Sequence, residues 1–124
     1  MSHVLYVDDD KASRDILTRL LRHLKLEVDV VETAVATLEQ LAVTPYDMLV
    51  VDLALPEMDG WALLRALRDD PRYATLKVVA LTAHYDSSVV QQAKQVGFVT
   101  CLPKPATLQI AQTLAGLLND NTPA

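Results

Sequence analysis

Five apolar segments of strand length alternate with five helical segments, and this alternation limits the fold more than any other feature of the sequence. Strands are predicted at residues 3–7, 27–31, 48–51, 76–81 and 98–102. The segments between and after them repeat apolar residues at the spacing of amphipathic helices, and the last one covers residues 107–118. Right-handed crossovers between parallel strands place helices on both faces of a sheet. The sequence therefore predicts an α/β fold with a doubly wound, five-stranded parallel sheet.

Local signals mark where several helices begin and end. The candidate capping residues are Asp10 or Ser13 for the first helix, Thr33 for the second, and Asp86 or Ser87 for the fourth. Gly97 is predicted to end the fourth helix with a positive φ angle. The second predicted strand alternates polar and apolar residues, which is typical of an edge strand.

Size, charge and composition exclude several function classes. A chain of 124 residues with 51% hydrophobic residues fits one domain, predicted at residues 1–119 with a flexible C-terminal tail at 120–124. The net charge is −5 and the pI is near 5.0, so binding to nucleic acid has little electrostatic support. No apolar run approaches the roughly 20 residues of a membrane span, and no signal peptide is visible. With one cysteine and no internal disulfide, a cytoplasmic protein that binds no membrane is expected.

The segment 46–60, YDMLVVDLALPEMDG, places a carboxylate at the end of the most apolar strand. The run 48–51 suits a strand buried on both faces, and Asp52 follows it directly. Pro56 and Gly60 force a loop, and helical spacing resumes at Trp61. Open α/β sheets bind their ligands beyond the carboxyl ends of the strands, which is where Asp52 is predicted to lie.

Other polar side chains follow other strands, and a parallel sheet brings them to the same edge. They are Asp8, Asp9 and Asp10 after the first strand, Thr82 after the fourth and Lys104 after the fifth. Two carboxylates about 4 Å apart repel each other by about 4 kcal/mol near a protein surface, which a bound cation would relieve. An oxygen-only ligand set favours Mg²⁺ over zinc. A carboxylate beside such a metal can act as a nucleophile toward a phosphoryl group, with Lys104 and Thr82 binding the phosphoryl oxygens.

These residues resemble the receiver domains of two-component response regulators. The matching segments are VDDD at 7–10, VDLALPEMDG at 51–60, LTA at 81–83 and PKP at 103–105, and their spacing agrees over almost the whole chain. The resemblance implies a flavodoxin-like sheet of order 2-1-3-4-5, with Asp52 as the phosphoacceptor. It also implies that Asp9 binds Mg²⁺ directly, that Asp8 binds it largely through water, and that the backbone carbonyl of Ala54 is a further ligand.

The same resemblance implies partners and a mode of action. The phosphoryl group would come from a phosphohistidine on a sensor histidine kinase or a histidine phosphotransfer protein. The domain would catalyse its own phosphorylation and dephosphorylation, with no separate substrate turned over. Output would pass to a downstream protein through the face formed by the fourth helix, fifth strand and fifth helix. The native-looking Met1 and polar tail favour a stand-alone protein over a domain from a larger kinase or regulator.

Three departures from the family pattern concern the switch and the lifetime of the phosphoryl group. Cys101 stands three residues before Lys104, where receiver domains commonly have the aromatic residue that responds to the threonine. Coupling through Thr82 and Cys101 would then need a different packing change, for which Tyr85 is a candidate. Ala106 also replaces a frequent aromatic residue. Ala54 and His84 occupy the two variable positions that flank the route of the attacking water, so His84 is expected to tune dephosphorylation.

The same residues also allow other interpretations. In isolation, an acidic turn caps a helix, a threonine at a strand end bonds backbone, and a lysine between prolines is a solvated surface residue. A haloacid-type phosphatase needs a second aspartate at the position of Ala54. Nucleotide binding lacks a glycine-rich phosphate loop. The alternative left open is a receiver-fold adaptor that binds partners independently of phosphorylation, because Cys101 replaces the usual switch residue.

Overall fold

A computed structural model describes residues 2–119 and contains one parallel sheet of five strands in the order β2-β1-β3-β4-β5. The strands are β1 His3–Val7, β2 Glu27–Val31, β3 Met48–Asp52, β4 Lys77–Thr82 and β5 Cys101–Pro103. The helices are α1 Lys11–His23, α2 Ala34–Val43, α3 Gly60–Arg68, α4 Ser87–Val96 and α5 Leu108–Leu118, with a short 3₁₀ helix at Pro71–Tyr73. The predicted fold class and strand order are confirmed, and β2 is the edge strand that its alternating pattern indicated. The tail predicted at 120–124 lies outside the described residues.

The sheet is covered on both faces, and alternate residues of each strand enter two separate cores. In β3, Leu49 and Val51 pack in the core that contains α2, α3 and α4 side chains. Met48 and Val50 enter the opposite core, which contains α1 and α5 side chains. Every residue of β3 is buried, as the continuous apolar run predicted for a central strand. Within residues 2–119, no helix is both long and apolar enough to cross a membrane.

Each of the five α-helices begins with a side chain that accepts a backbone N–H from its first turn. The caps are Asp10, Thr33, Asp59, Asp86 and Thr107. Asp10, and not Ser13, caps α1, because the Ser13 backbone N–H and hydroxyl both donate to Asp10 Oδ2. Such a cap stabilises a helix by about 1 kcal/mol relative to alanine. These caps fix the points at which the chain leaves the sheet edge.

The fifth strand is shorter than predicted and begins later. Gly97 ends α4 with φ of 121°, as expected, and the backbone N–H of Phe98 then donates to the carbonyl of Ala93. The Phe98 ring is buried against Trp61, with ring centroids 5.6 Å apart. Phe98 therefore contributes an apolar residue to the helix end and the core. The structure therefore does not have the single strand predicted at 98–102. Phe98 closes the end of α4, and the strand itself covers Cys101–Pro103.

Candidate functional site

Three carboxylates converge at the carboxyl edge of the sheet. Asp8 follows β1 and is fully buried, Asp9 is exposed, and Asp52 ends β3 with 4% of its surface exposed. One oxygen from each carboxylate lies within 4.8 Å of the other two. We call these residues, together with Lys104, the acidic pocket. The predicted convergence of segments distant in sequence is therefore present in the structure.

Lys104 enters the acidic pocket from the end of β5 and bonds two of its carboxylates. Its Nζ lies 2.8 Å from Asp8 Oδ2 and 3.3 Å from Asp52 Oδ2. Its backbone N–H donates to the carbonyl of Thr82 at 2.8 Å, which ties the lysine to the end of β4. Burial alone would lower the pKa of Lys104, but the hydrogen bond to Asp8 and the charges of Asp52 and Asp8 outweigh burial and raise it.

The pKa of Asp52 is also raised above its ordinary value. Burial is the largest cause, and the negative charge of Asp8 acts in the same direction. The Ala54 backbone N–H, 3.1 Å from Asp52 Oδ1, and the ammonium of Lys104 lower this pKa but do not compensate. The pocket has three carboxylates and one ammonium, which bonds two of them, so Lys104 is stabilised in its charged form while Asp52 is not. The pocket therefore favours binding of a further positive charge.

The loop after β3 is held close to the backbone of Asp52, and Gly60 makes this possible. The Gly60 N–H donates to the carbonyl of Leu53 at 3.1 Å. A β-carbon at Gly60 would lie 2.8 Å from the carbonyl oxygen of Asp52 and 2.9 Å from the α-carbon of Leu53. Because those atoms are backbone, a larger residue would displace the strand end that carries Asp52. The sequence predicted Gly60 only as part of a loop. The structure shows that glycine is needed there because the backbone at Asp52 and Leu53 lies too close for a β-carbon.

Thr82 and His84 border a small cavity beside the acidic pocket. The cavity measures about 240 Å³ and is lined by Leu53, Ala54, Trp61, Thr82, His84 and Val89. Thr82 is buried, and its hydroxyl oxygen accepts the backbone N–H of His84 at 3.0 Å. This is the backbone bond expected of a threonine at a strand end. The cavity wall nevertheless brings Thr82, Ala54 and His84 together.

Cys101 occupies the core and not the surface. It is 1% exposed in β5, and burial raises the pKa of its thiol to about 11. A thiol with such a pKa is protonated at neutral pH and unreactive. The residue therefore packs as a small apolar group.

Tyr6 and Arg14 belong to the site although neither was predicted there. The Tyr6 hydroxyl donates to Asp8 Oδ2 at 2.6 Å, and Arg14 Nη1 donates to the carbonyl oxygen of Asp8 at 2.9 Å. Burial, and then the hydrogen bond to Asp8, raise the pKa of Tyr6. By hydropathy alone, Tyr6 is one residue of the buried strand predicted at 3–7. The available signal was the two-residue spacing from Asp8, because residues i and i+2 of a strand point to the same face.

The donor set of the acidic pocket fits a metal ion. The three carboxylates offer oxygen atoms only, and Asp9 is open to solvent. Counting Lys104, the pocket carries a net charge of −2 when all four groups are ionised. The acidic triad can therefore bind a metal, and hard divalent cations suit such ligands best.

Comparison with known proteins identifies the family. The family model for the response regulator receiver domain matches residues 4–115. The chain belongs to this family. A receiver domain implies a histidine kinase as its partner in two-component signalling.

Relatives and solved structures agree with the assignment to the receiver domains. The chain is 37% identical over 111 residues to the DNA-binding transcriptional regulator NtrC of Escherichia coli, a match that covers 90% of this chain and 23% of NtrC. It is 38% identical over 102 residues to an uncharacterised 14.6 kDa protein of Leptolyngbya boryana, covering 82% of this chain and 78% of that protein. The structure of a sensor protein from Polaromonas superposes with a TM-score of 0.86 at 30% identity, over 95% and 96% of the two chains. The receiver domain thus spans less than a quarter of NtrC.

Proposed function

We propose that this receiver domain is a phosphorylation-gated switch. It accepts a phosphoryl group from a phosphohistidine on a sensor histidine kinase or a phosphotransfer protein onto Asp52, in a reaction that requires Mg²⁺. The observation that carries this proposal is the sharing of one ammonium, that of Lys104, between Asp8 and the buried Asp52. That arrangement leaves Asp52 short of positive charge beside a set of metal ligands. The proposed domain boundaries remain residues 1–119, and a cytoplasmic location is proposed from family membership alone.

Asp52 is the nucleophile in this proposal. One of its carboxylate oxygens bonds to phosphorus while the bond from phosphorus to the donor imidazole nitrogen breaks. The electron pair of the broken bond stays on the imidazole, which takes up a proton. The Ala54 N–H holds Asp52 Oδ1 at 3.1 Å and so orients the carboxylate for this attack.

The other pocket residues bind the transferred group and the metal. Lys104 turns its ammonium to a phosphoryl oxygen, and the Thr82 hydroxyl donates to another. Asp8, Asp9, Asp52 and the backbone carbonyl of Ala54 would hold Mg²⁺. When bound, Mg²⁺ supplies positive charge that offsets the charge on the phosphoryl oxygens.

Ala54 and His84 are proposed to set how long the phosphoryl group persists. Both line the cavity beside Thr82, from which water would approach the phosphorus atom. Ala54 offers the water no polar side-chain atom, whereas the His84 imidazole can orient or obstruct it. The lifetime of the aspartyl phosphate is then a property of His84 more than of Ala54.

Output is proposed to leave through the surface formed by α4, β5 and α5. Exposed apolar residues of this region include Tyr85, Val96, Val99 and Leu108. Thr82 and Cys101 are the proposed switch residues, and the buried Cys101 thiol replaces the aromatic side chain that usually moves. Amide spectra of the phosphorylated and unphosphorylated protein test this step. Shifts confined to the acidic pocket would favour the second candidate, an adaptor that binds its partners independently of phosphorylation.

The phosphoacceptor is tested by intact mass after incubation with acetyl phosphate, with and without Mg²⁺. We expect one added phosphoryl group that requires both the metal and Asp52. Asp52→Asn should abolish the adduct, whereas Asp69→Asn, which alters an exposed aspartate at the end of α3, should leave it intact. No adduct on a folded, Mg²⁺-binding wild type would refute the proposal.

A further inference from the structure

Tyr6 places a phenol hydroxyl against the acidic pocket from inside the core. The side chain is 1% exposed and lies among α1 and α5 residues that include Leu17, Leu21 and Leu114. Close packing around the ring restricts its movement. Its hydroxyl donates to Asp8 Oδ2 at 2.6 Å.

Asp8 depends on three hydrogen-bond donors because none of its surface reaches water. Oδ1 accepts the backbone N–H of Asp10 at 2.9 Å. Oδ2 accepts two donors, the Tyr6 hydroxyl at 2.6 Å and the Lys104 ammonium at 2.8 Å. Removing a donor from a fully buried carboxylate is costly unless another donor remains. Oδ2 would therefore keep one hydrogen-bond donor if the other left, whereas Oδ1 has a single donor.

The second donor on Asp8 Oδ2 matters because the Lys104 ammonium has two alternative binding partners, Asp8 and the phosphoryl group. In the structure, its ammonium bonds Asp8 more closely than Asp52. In the proposed function, on which this inference rests, the ammonium turns to a phosphoryl oxygen and gives up its bond to Asp8. We propose that Tyr6 is a positioning residue that retains Asp8 Oδ2 when Lys104 leaves, and so makes Lys104 available to the phosphoryl group. It acts through Asp8 and Lys104 and does not touch the reacting atoms.

The test measures binding of fluoroberyllate, a phosphoryl mimic, at saturating Mg²⁺. Trp61, the chain's single tryptophan, lines the cavity with Ala54 and Thr82 and serves as the fluorescent reporter. Tyr6→Phe keeps the ring and deletes the hydroxyl. We expect fluoroberyllate to bind about tenfold more weakly, because the loss of one hydrogen bond to a charged group changes an affinity by about this factor or more. The affinity for Mg²⁺ alone should change by less than about twofold, since the metal ligands and Lys104 remain.

Tyr46→Phe is the matched control. The Tyr46 hydroxyl also donates to an aspartate at 2.6 Å, but the acceptor is Asp29, in the middle of the edge strand β2 and outside the acidic pocket. It should leave fluoroberyllate affinity unchanged. If Tyr6→Phe does not fold, 3-fluorotyrosine at position 6 keeps the hydroxyl as a stronger donor and should tighten fluoroberyllate binding.

Several outcomes would overturn the inference. Unchanged fluoroberyllate binding in Tyr6→Phe, or in the fluorotyrosine protein where Tyr6→Phe does not fold, would show that the hydroxyl does not assist Lys104. An equal loss of Mg²⁺ affinity would assign Tyr6 to the metal site instead, and an equal loss in Tyr46→Phe would indicate a general effect of deleting a phenol hydroxyl. If the wild type itself bound no fluoroberyllate, the proposed function would fail, which the wild-type titration distinguishes from failure of the role of Tyr6 alone.

Discussion

Replacement of Lys104 by methionine should destabilise the protein, and Mg²⁺ should restore part of the loss. Lys104→Met keeps most of the side-chain volume and deletes the ammonium from the acidic pocket. Three carboxylates then face one another with no cation between them. We expect the free energy of unfolding to fall by about 3 kcal/mol at neutral pH in a chelator, the range found when one partner of a buried pair is removed.

The distances in the acidic pocket support this magnitude. At an effective dielectric constant of about 20, an ammonium attracts one carboxylate at 2.8 Å by ~6 kcal/mol and another at 3.3 Å by ~5 kcal/mol. Two of the carboxylate oxygens within 4.8 Å of each other repel by ~3.5 kcal/mol or more on the same scale. The expected loss is smaller than the lost attraction, because the variant no longer has to desolvate the ammonium.

Mg²⁺ should reduce the deficit because the variant pocket carries a charge of −3 in place of −2. An increase of about tenfold in Mg²⁺ affinity corresponds to about 1.4 kcal/mol of additional stabilisation at saturating metal. The deficit of Lys104→Met should therefore fall to about half its value in the chelator. Urea unfolding followed by circular dichroism, with and without Mg²⁺, measures both quantities.

Lys94→Met is the control, since Lys94 is exposed on α4 and distant from the pocket. It should change stability by less than about 0.5 kcal/mol under either condition. A deficit of the same size with and without Mg²⁺, or no deficit in the chelator, would show that Lys104 does not neutralise a metal-binding set of carboxylates. The electrostatic account of the pocket would then be wrong.

Three further results are expected. Asp52→Asn should stabilise the metal-free protein at neutral pH. Burial raises the pKa of Asp52, so the folded wild type loses stability as pH rises from the ordinary carboxyl pKa through the folded one, and the variant does not. Unfolding midpoints of the variant that follow those of the wild type across a pH series would contradict this. Gly60→Ala should lower the free energy of unfolding by about 2 kcal/mol, because the added β-carbon meets the backbone of Asp52 and Leu53. It should also slow phosphorylation by acetyl phosphate. Gly116→Ala, with open space around the added methyl, is the control for both measurements. His84→Ala should change the lifetime of the aspartyl phosphate severalfold without changing the site of phosphorylation, as followed by intact mass over time, and an unchanged lifetime would exclude the imidazole from the path of water.

Periodicity and capping residues predicted most of the fold, because both signals are local. The apolar run before Asp52 indicated a central strand, and Thr33 indicated the start of α2. The start of β5 was wrong because an apolar residue such as Phe98 fits a strand and a helix cap equally well by hydropathy alone. What distinguishes the two is the hydrogen bond from its N–H to Ala93, which depends on the conformation of Gly97.

The polar residues of the site were predictable for a different reason. In a parallel sheet, a polar residue that follows an apolar strand lies at the carboxyl edge of the sheet. Asp8, Asp52 and Lys104 could therefore be assigned to this common edge from the sequence. Tyr6 could not be assigned in this way, since its ring satisfies the apolar pattern of β1 and only its hydroxyl belongs to the site. When one side chain belongs to both the core and the site, hydropathy predicts only its role in the core. Its role in the site becomes visible only in the structure.

The same residues explain why the acidic pocket is suited to switching. A pocket with as many cations as carboxylates would be stable without ligands and would gain little from a metal or a phosphoryl group. Here Lys104 is drawn toward both Asp8 and Asp52, so its position responds to any change of charge at either one. Tyr6 and the Asp10 N–H both donate to Asp8, whereas Lys104 divides its bonds between Asp8 and Asp52. In the proposed function, a change of charge at Asp52 would act first on Lys104. The backbone bond of Lys104 to Thr82 would then carry the change to the ends of β4 and β5, where the proposed output surface begins.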